Sequence, residues 1–133
     1  MFEFRSKDIK SSFKHALDGL ALIYKSQRNI KIQLLIALFT VLMAILLEFN
    51  HIEYLILFVL ITLVLFAEMV NTVIEFILDS LYKHNYSQIA KIAKDMSAGM
   101  VLFVTVMVVI SGLVLFINKY LSFINSQELI LWY

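Results

Sequence analysis

The sequence predicts an all-α integral membrane protein with one amphipathic surface helix followed by three transmembrane helices. Three observations carry this. Of the 133 residues, 62% are apolar, with no Pro and no Cys and only three Gly, which is far too apolar for a soluble domain of one core. Three stretches, Ile32–Leu47, Tyr54–Ala67 and Met96–Ile117, contain no charged side chain. A soluble helix keeps one face in water and would interrupt such runs with charge every turn or two. A span needs about 20 mostly apolar residues, so the third run suffices alone and the first two need flanking residues to cross.

The charged residues then order the elements. In residues 4–24, Ile9, Phe13, Ala16, Leu17, Leu20 and Tyr24 recur at spacings of three and four, with Lys7, Lys10, Lys14 and Asp18 between them. Such a segment is too charged to span and suits a helix lying on the membrane surface, its lysines toward anionic head groups. A soluble helix packed on a partner is the blander alternative. The expected bounds are a surface helix at about 4–26, spans at about 30–48, 52–81 and 90–118, and a tail at 119–133, all in one domain. The first apolar run begins after some thirty residues of charged chain with no small-residue cleavage site after it, so no secretory signal is expected. A bilayer-embedded core needs no disulfides, so the lack of Cys says little.

The net charge of +1 hides an asymmetry. Arg5, Lys7, Lys10, Lys14, Lys25, Arg28 and Lys31 precede the first span, and Lys83, Lys91 and Lys94 lie between the second and third. The connection Glu48–Glu53 has no Lys or Arg, and only Lys119 falls beyond the third span. The positive-inside rule therefore places the N-terminus and the 79–95 loop in the cytoplasm, with the C-terminus outside. The tail ends in "LILWY", whose Trp132 and Tyr133 suit an interfacial anchor and have no evident chemical role.

The chemistry lies in "FAEMVNTVIEFILD", residues 66–79. At about 100° per residue, Glu68, Glu75 and Asp79 share one stripe of the second span, flanked by Asn71 and Thr72, while Met69, Val73, Phe76 and Ile77 form an apolar opposite side. Glu75 and Asp79 alone would be ordinary surface where a helix leaves the bilayer. Glu68 directly follows fourteen uncharged residues, and ionisable residues so placed mark function. Across the cytoplasmic loop, "IAKIAKDMSAGMVL" brings Lys91, Lys94 and Asp95 to the start of the third span. By themselves these read more simply as a solvated or snorkelling group. Ser97, Ala98 and Gly99 follow, and small residues let membrane helices approach closely.

Carboxylates can hold Mg²⁺ together with substrate phosphates, lysine can pair with phosphate, and a buried carboxylate can take a proton from a hydroxyl. Together these are parts for phosphoryl transfer at a membrane surface. Glycine stands only at 19, 99 and 112, so no glycine-rich phosphate loop exists, and a nucleotide would be held by metal and side chains.

"E-M-V-N-T-V-I-E-F-I-L-D" followed by "A-K-D-M-S-A-G-M-V-L" resembles the signature of the small integral-membrane prokaryotic diacylglycerol kinases, which include the undecaprenol kinases. The resemblance covers residues 10–118. It implies a homotrimer in the bacterial inner membrane that transfers the γ-phosphate of ATP, with Mg²⁺, to a lipid hydroxyl at the cytoplasmic interface. No nucleic-acid partner is expected. By the resemblance Glu68 matches the catalytic base and Asn71 the amide of the motif. Glu75 matches a Mg²⁺-binding carboxylate, and Gln27 stands where a second metal-binding glutamate is usual. Glu75 and Gln27 would also contact ATP. His15 in "FKHALDGL", Asp79, His84 and Tyr86 in the loop "KHNY", Lys94 and Asp95 are the other nucleotide-binding expectations. Glu68 and Ala98 are expected at the lipid. Gln33 stands where an acidic residue or His is usual.

Gln27 can coordinate Mg²⁺ but brings no charge, so metal affinity should be lower, and a catalytically degenerate trimer of the same fold is the competing reading. A proton or ion transporter is more distant, because its carboxylates should sit near mid-bilayer. The resemblance leaves the acceptor open between diacylglycerol and undecaprenol, with "FKHALDGL" and "SAGMVL" closer to members from Gram-positive bacteria.

Overall fold

The computed structural model describes residues 8–82 and 87–130, which form four helices. These are α1 (Ile9–Ser26), α2 (Arg28–Leu46), α3 (His51–Tyr82) and α4 (Gln88–Ile130). Arg28–Leu46, His51–Tyr82 and Gln88–Asn125 are each long and apolar enough to cross a bilayer. The three spans thus fall where the charge-free runs put them. At 1.5 Å per residue α2 is about 28 Å long, close to the hydrocarbon thickness, whereas α3 at about 48 Å and α4 at about 65 Å overrun it. The overrun of α3 carries the polar stripe. Helix α4 does not stop near residue 118 but runs unbroken to Ile130, since no Pro and no Gly after Gly112 interrupts it. Trp132, Tyr133, His84 and Tyr86 lie outside the described residues.

The joints explain how the helices are aimed. Gln27, with φ −112° and ψ 123°, is the single extended residue between α1 and α2. Its backbone N–H still closes α1 on Ile23 O at 3.1 Å, so one residue makes the corner and its side chain is held at the apex. Between α2 and α3 the chain turns through a helix C-terminus of the Schellman type. Phe49 N–H donates to Ala44 O and Glu48 N–H to Ile45 O, both at 3.1 Å. Glu48 takes φ 55°, a left-handed position usually held by Gly. Asn50 then caps α3, its Oδ1 accepting from Ile52 N and Glu53 N at 2.9 and 3.0 Å, while Glu53 Oε2 accepts from Asn50 N at 2.7 Å. That reciprocal pair is a capping box. Ser87 opens α4, its Oγ accepting from Ala90 N at 3.3 Å.

The apolar core lies at this turn end of the bundle. Ala44, Phe49 and Leu57 are buried, with Val41, Tyr54, Ile61, Leu115 and Phe116 packed around them. The Phe49 ring sits 4.9 Å from that of Phe116 and 5.9 Å from that of Tyr54. Lys119, the one Lys or Arg at this end among the described residues, pairs with Glu53 at 3.1 Å and stands 5.9 Å over the Phe49 ring. This bolts α4 to the α2–α3 turn. Most other large apolar side chains are exposed, as expected of surfaces that face lipid or another membrane helix.

Candidate active site

The opposite end of the bundle is held by polar contacts. Glu68, Asn71 and Thr72 of α3 and Ser97 of α4 are all buried, and Glu68 retains only 3% exposure. The stripe read from periodicity is therefore the face of α3 turned inward. Thr72 Oγ1 donates to Glu68 O at 2.9 Å, satisfying its hydroxyl within the helix.

Each acidic or amide group on the stripe meets a partner from a different element. Gln33 of α2 donates from Nε2 to Glu68 Oε2 at 3.1 Å. Gln27, at the α1–α2 corner, donates from Nε2 to Glu75 Oε2 at 3.4 Å, and Asn71 Nδ2 reaches Glu75 Oε1 at 3.2 Å. Ser97 Oγ donates to Asn71 Oδ1 at 2.6 Å and lies 3.0 Å from Lys94 O. One helical step further out, Lys94 forms an ion pair with Asp79. Glu75 is thus bracketed by two amides, and Asn71 links it to α4. Along the α3 axis Glu75 and Asp79 lie about 10 and 16 Å beyond Glu68.

A cavity of about 530 Å³ opens between α1 and this part of α3. Gly19, Leu22, Ile23 and Ser26 line one side, and Thr72, Glu75, Phe76 and Asp79 the other, with Gln27 at the corner. Its lining is mostly apolar, with the Glu75 and Asp79 carboxylates as its charged groups.

The remaining expected residues are placed apart from this group. His15 is exposed and shares a 3.2 Å hydrogen bond with Ser11; it stands one turn before Gly19, on the stripe that faces the cavity. Asp95 and Ala98 are exposed on α4. Lys94 and Asp95 diverge because neighbours on a helix point about 100° apart: Lys94 turns to Asp79, and Asp95 turns away. Two residues of the constellation were not singled out for a role by sequence reasoning, Ser97 and Gln33. Ser97 was visible only as a small residue, although it follows Lys94 at the i, i+3 spacing that puts both on one face. Gln33 stands out in the sequence only by its unusual side chain.

The donor set suits a hard divalent cation only in part. Among the described residues no three His, Asp or Glu side chains gather closely enough to enclose a metal ion. Glu75 supplies one carboxylate, and rotation of the Gln27 amide would turn its oxygen to the same point. One carboxylate and one amide oxygen suit Mg²⁺, which keeps waters and takes phosphate oxygens as further ligands.

An all-helical membrane protein with carboxylates and amides gathered at one end of its helices is the class that fold and site define. Residues 14–116 match the prokaryotic diacylglycerol kinase family, and the chain belongs to that family of lipid kinases. It is similar to a diacylglycerol kinase of Synechocystis, with 33% identity over 111 residues, covering 84% of this chain and 63% of the relative. It is also similar to the undecaprenol kinase of Bacillus subtilis, with 34% identity over 108 residues, covering 81% of this chain and 87% of the relative. No solved structure shows a significant match.

Proposed function

We propose that the chain is an ATP- and Mg²⁺-dependent lipid kinase acting on the hydroxyl of diacylglycerol or undecaprenol. The observation that carries this is Glu68: a buried carboxylate in a membrane helix, on one stripe with Glu75 and Asp79, which line an opening wide enough for a substrate. The family and both named relatives support the same reaction class.

In this reading Glu68 accepts the proton of the lipid hydroxyl as its oxygen attacks the γ-phosphorus. The bond from the γ-phosphorus to the β–γ bridging oxygen breaks, and ADP leaves with that oxygen. Gln33 orients Glu68, and Asn71, held by Ser97, orients Glu75. Glu75 and Gln27 would hold Mg²⁺, which when bound neutralises phosphate charge. Lys94 exchanges Asp79 for a phosphate oxygen, and Asp79, His15, Asp95, His84 and Tyr86 contribute further nucleotide contacts. Positioning and charge neutralisation supply most of the catalysis in such transfers.

The assembly in this reading is a homotrimer in the bacterial inner membrane, with the N-terminus cytoplasmic and the C-terminus outside. Its support is the wide apolar surface left on α2, α3 and α4, together with the exposure of Asp95 and Ala98, which a neighbouring copy would bring to a shared site. Helix α1 lies on the cytoplasmic surface, with Ile9, Phe13, Leu17 and Leu20 exposed for the membrane.

Detergent-solubilised protein with labelled ATP, Mg²⁺ and either lipid tests the proposal. Labelled phosphatidic acid or undecaprenyl phosphate is the expected product. One observation favours a second reading, a degenerate trimer: Gln27 presents an amide N–H to Glu75 where a second carboxylate is usual. No transfer to either lipid at any Mg²⁺ concentration would select it.

A further inference from the structure

Among the described residues one buried side-chain polar atom is left without a hydrogen-bond partner. Gln33 Oε1 is buried and accepts from nothing. The amide is pinned by its other end, where Nε2 donates to Glu68 Oε2 at 3.1 Å, so the oxygen turns elsewhere. A buried amide oxygen left unsatisfied is costly enough to need a reason.

Gln33 also stands in the wall of a second cavity, of about 180 Å³, a crevice lined by α2, α3 and α4 on the turn side of Glu68. Apart from Gln33 and Thr105 its lining is aliphatic. A further apolar cavity of about 250 Å³ shares Ile61, Val108 and Val109 with it and continues to Phe116. From Leu65 to Leu57 this path follows α3 for about 12 Å.

Water is a poor occupant, since a buried water needs two to four polar partners in a polar site. An alcohol on an apolar body fits both features: its O–H satisfies Gln33 Oε1, and its chain fills the aliphatic path.

We propose that Gln33 is a positioning and specificity-determining residue that receives the acceptor hydroxyl on Oε1 while its Nε2 orients Glu68, with the acceptor's chain in the crevice between α2, α3 and α4. One amide thereby holds the hydroxyl and the carboxylate side by side, and the O–H that rests on Gln33 Oε1 swings to Glu68 when its proton is given up. The catalytic half of this inference rests on the lipid-kinase reading; the binding half does not. The ligand class is a primary alcohol borne on a long apolar chain, shared by diacylglycerol and undecaprenol.

The test uses the full chain in detergent micelles without ATP, and tritiated diacylglycerol and undecaprenol, each beside its methyl ether, which cannot donate. The wild type should bind at least one alcohol about tenfold more tightly than its ether, the size expected when a buried acceptor is left unpaired. Gln33→Met, similar in volume but without the amide, should bind alcohol and ether equally. Gln33→Glu, which keeps an acceptor oxygen, should retain the preference. In turnover Gln33→Met should raise the KM for the lipid about tenfold with the KM for ATP unchanged, a split that a general loss of structure would not give. A wild type without alcohol preference, a preference that survives Gln33→Met, or one lost in Gln33→Glu would each overturn the inference, and the last decides it if Gln33→Met does not fold. A preference that depends on Gln33 in a wild type that transfers no phosphate would overturn the kinase reading and leave the binding role of Gln33 standing.

Discussion

Replacing Gln27 with Glu tests the proposed metal site most directly. In the structure Gln27 Nε2 and Glu75 Oε2 are 3.4 Å apart, so a carboxylate at 27 would bring a second negative charge to that distance. Two unit charges there repel by about 5 kcal/mol at an effective dielectric of 20 and by about 1 kcal/mol in bulk water. Glu75 is part-exposed, which puts the repulsion between these limits. A cation reverses its sign. Gln27→Glu should therefore be less stable than wild type without Mg²⁺, gain more on adding Mg²⁺, and reach half-maximal rate at about tenfold less metal, the equivalent of 1.4 kcal/mol. The gain should fade once Mg²⁺ saturates both proteins. Parallel Mg²⁺ titrations of phosphoryl transfer and of thermal unfolding in detergent measure both effects. An active wild type whose two curves are unmoved by the substitution would show that residue 27 does not face the metal, and would refute the assignment of this corner to the site.

Three other substitutions probe the remaining roles. Glu68→Gln should lower phosphoryl transfer by about 10²–10⁴-fold, as for loss of a general base, with ATP binding and oligomeric state intact; a variant retaining half the wild-type rate would remove Glu68 from that role. Ser97→Ala deletes the 2.6 Å bond to Asn71 Oδ1 and leaves a buried acceptor, so the protein should lose about 1–2 kcal/mol and its KM for ATP should rise as Glu75 loses its second-hand tether to α4. A stability change within measurement error would show that Asn71 is held by Glu75 alone. Glu48→Gly should stabilise by about 1 kcal/mol, because Glu48 is exposed at φ 55° and glycine occupies that region without the Cβ penalty; unfolding in detergent at matched concentrations reads it, and a loss of stability would mean that the Glu48 side chain contributes more than its backbone costs.

What could be read from the sequence divides by range. The three spans and the inward stripe of α3 are properties of single helices, so hydropathy and a 100° repeat suffice to find them. The turn is local too: Asn50 and Glu53 carry the capping-box spacing, and the i, i+3 relation is legible without a fold. The partners of the stripe are a different matter. Gln33 meets Glu68 across 35 residues and Ser97 meets Asn71 across 26, and such pairings depend on how α2 and α4 rotate about their own axes. Hydropathy is nearly blind to that rotation in a helix that is apolar all round, as α4 is over residues 99–117. The same blindness explains Lys94 and Asp95, adjacent in sequence yet assigned opposite surroundings once α4 is oriented by Ser97.

The two ends of the bundle are fastened by different physics, and the difference suits the exchange of partners that the proposed reaction requires. At the turn end, aromatic packing of Phe49, Tyr54 and Phe116 and the Lys119–Glu53 pair fix the helices through many simultaneous contacts. At the other end four polar bridges, Gln27–Glu75, Gln33–Glu68, Asn71–Ser97 and Asp79–Lys94, join the elements. Interhelical hydrogen bonds in membranes contribute only about 0.6–2 kcal/mol each. A ligand offering a comparable donor or acceptor can replace one without opening the helices, because the remaining bridges and the aromatic end hold the packing. In the proposed reaction phosphate takes Lys94 from Asp79 and a metal takes the Gln27 amide on its oxygen. Neither exchange reaches the Ser97–Asn71 bond, which is buried on both sides. That bond is therefore the fixed point of the site: it sets where Glu75 stands while its neighbours trade partners, which is why Ser97→Ala should disturb nucleotide affinity even though the Ser97 hydroxyl is already committed to Asn71.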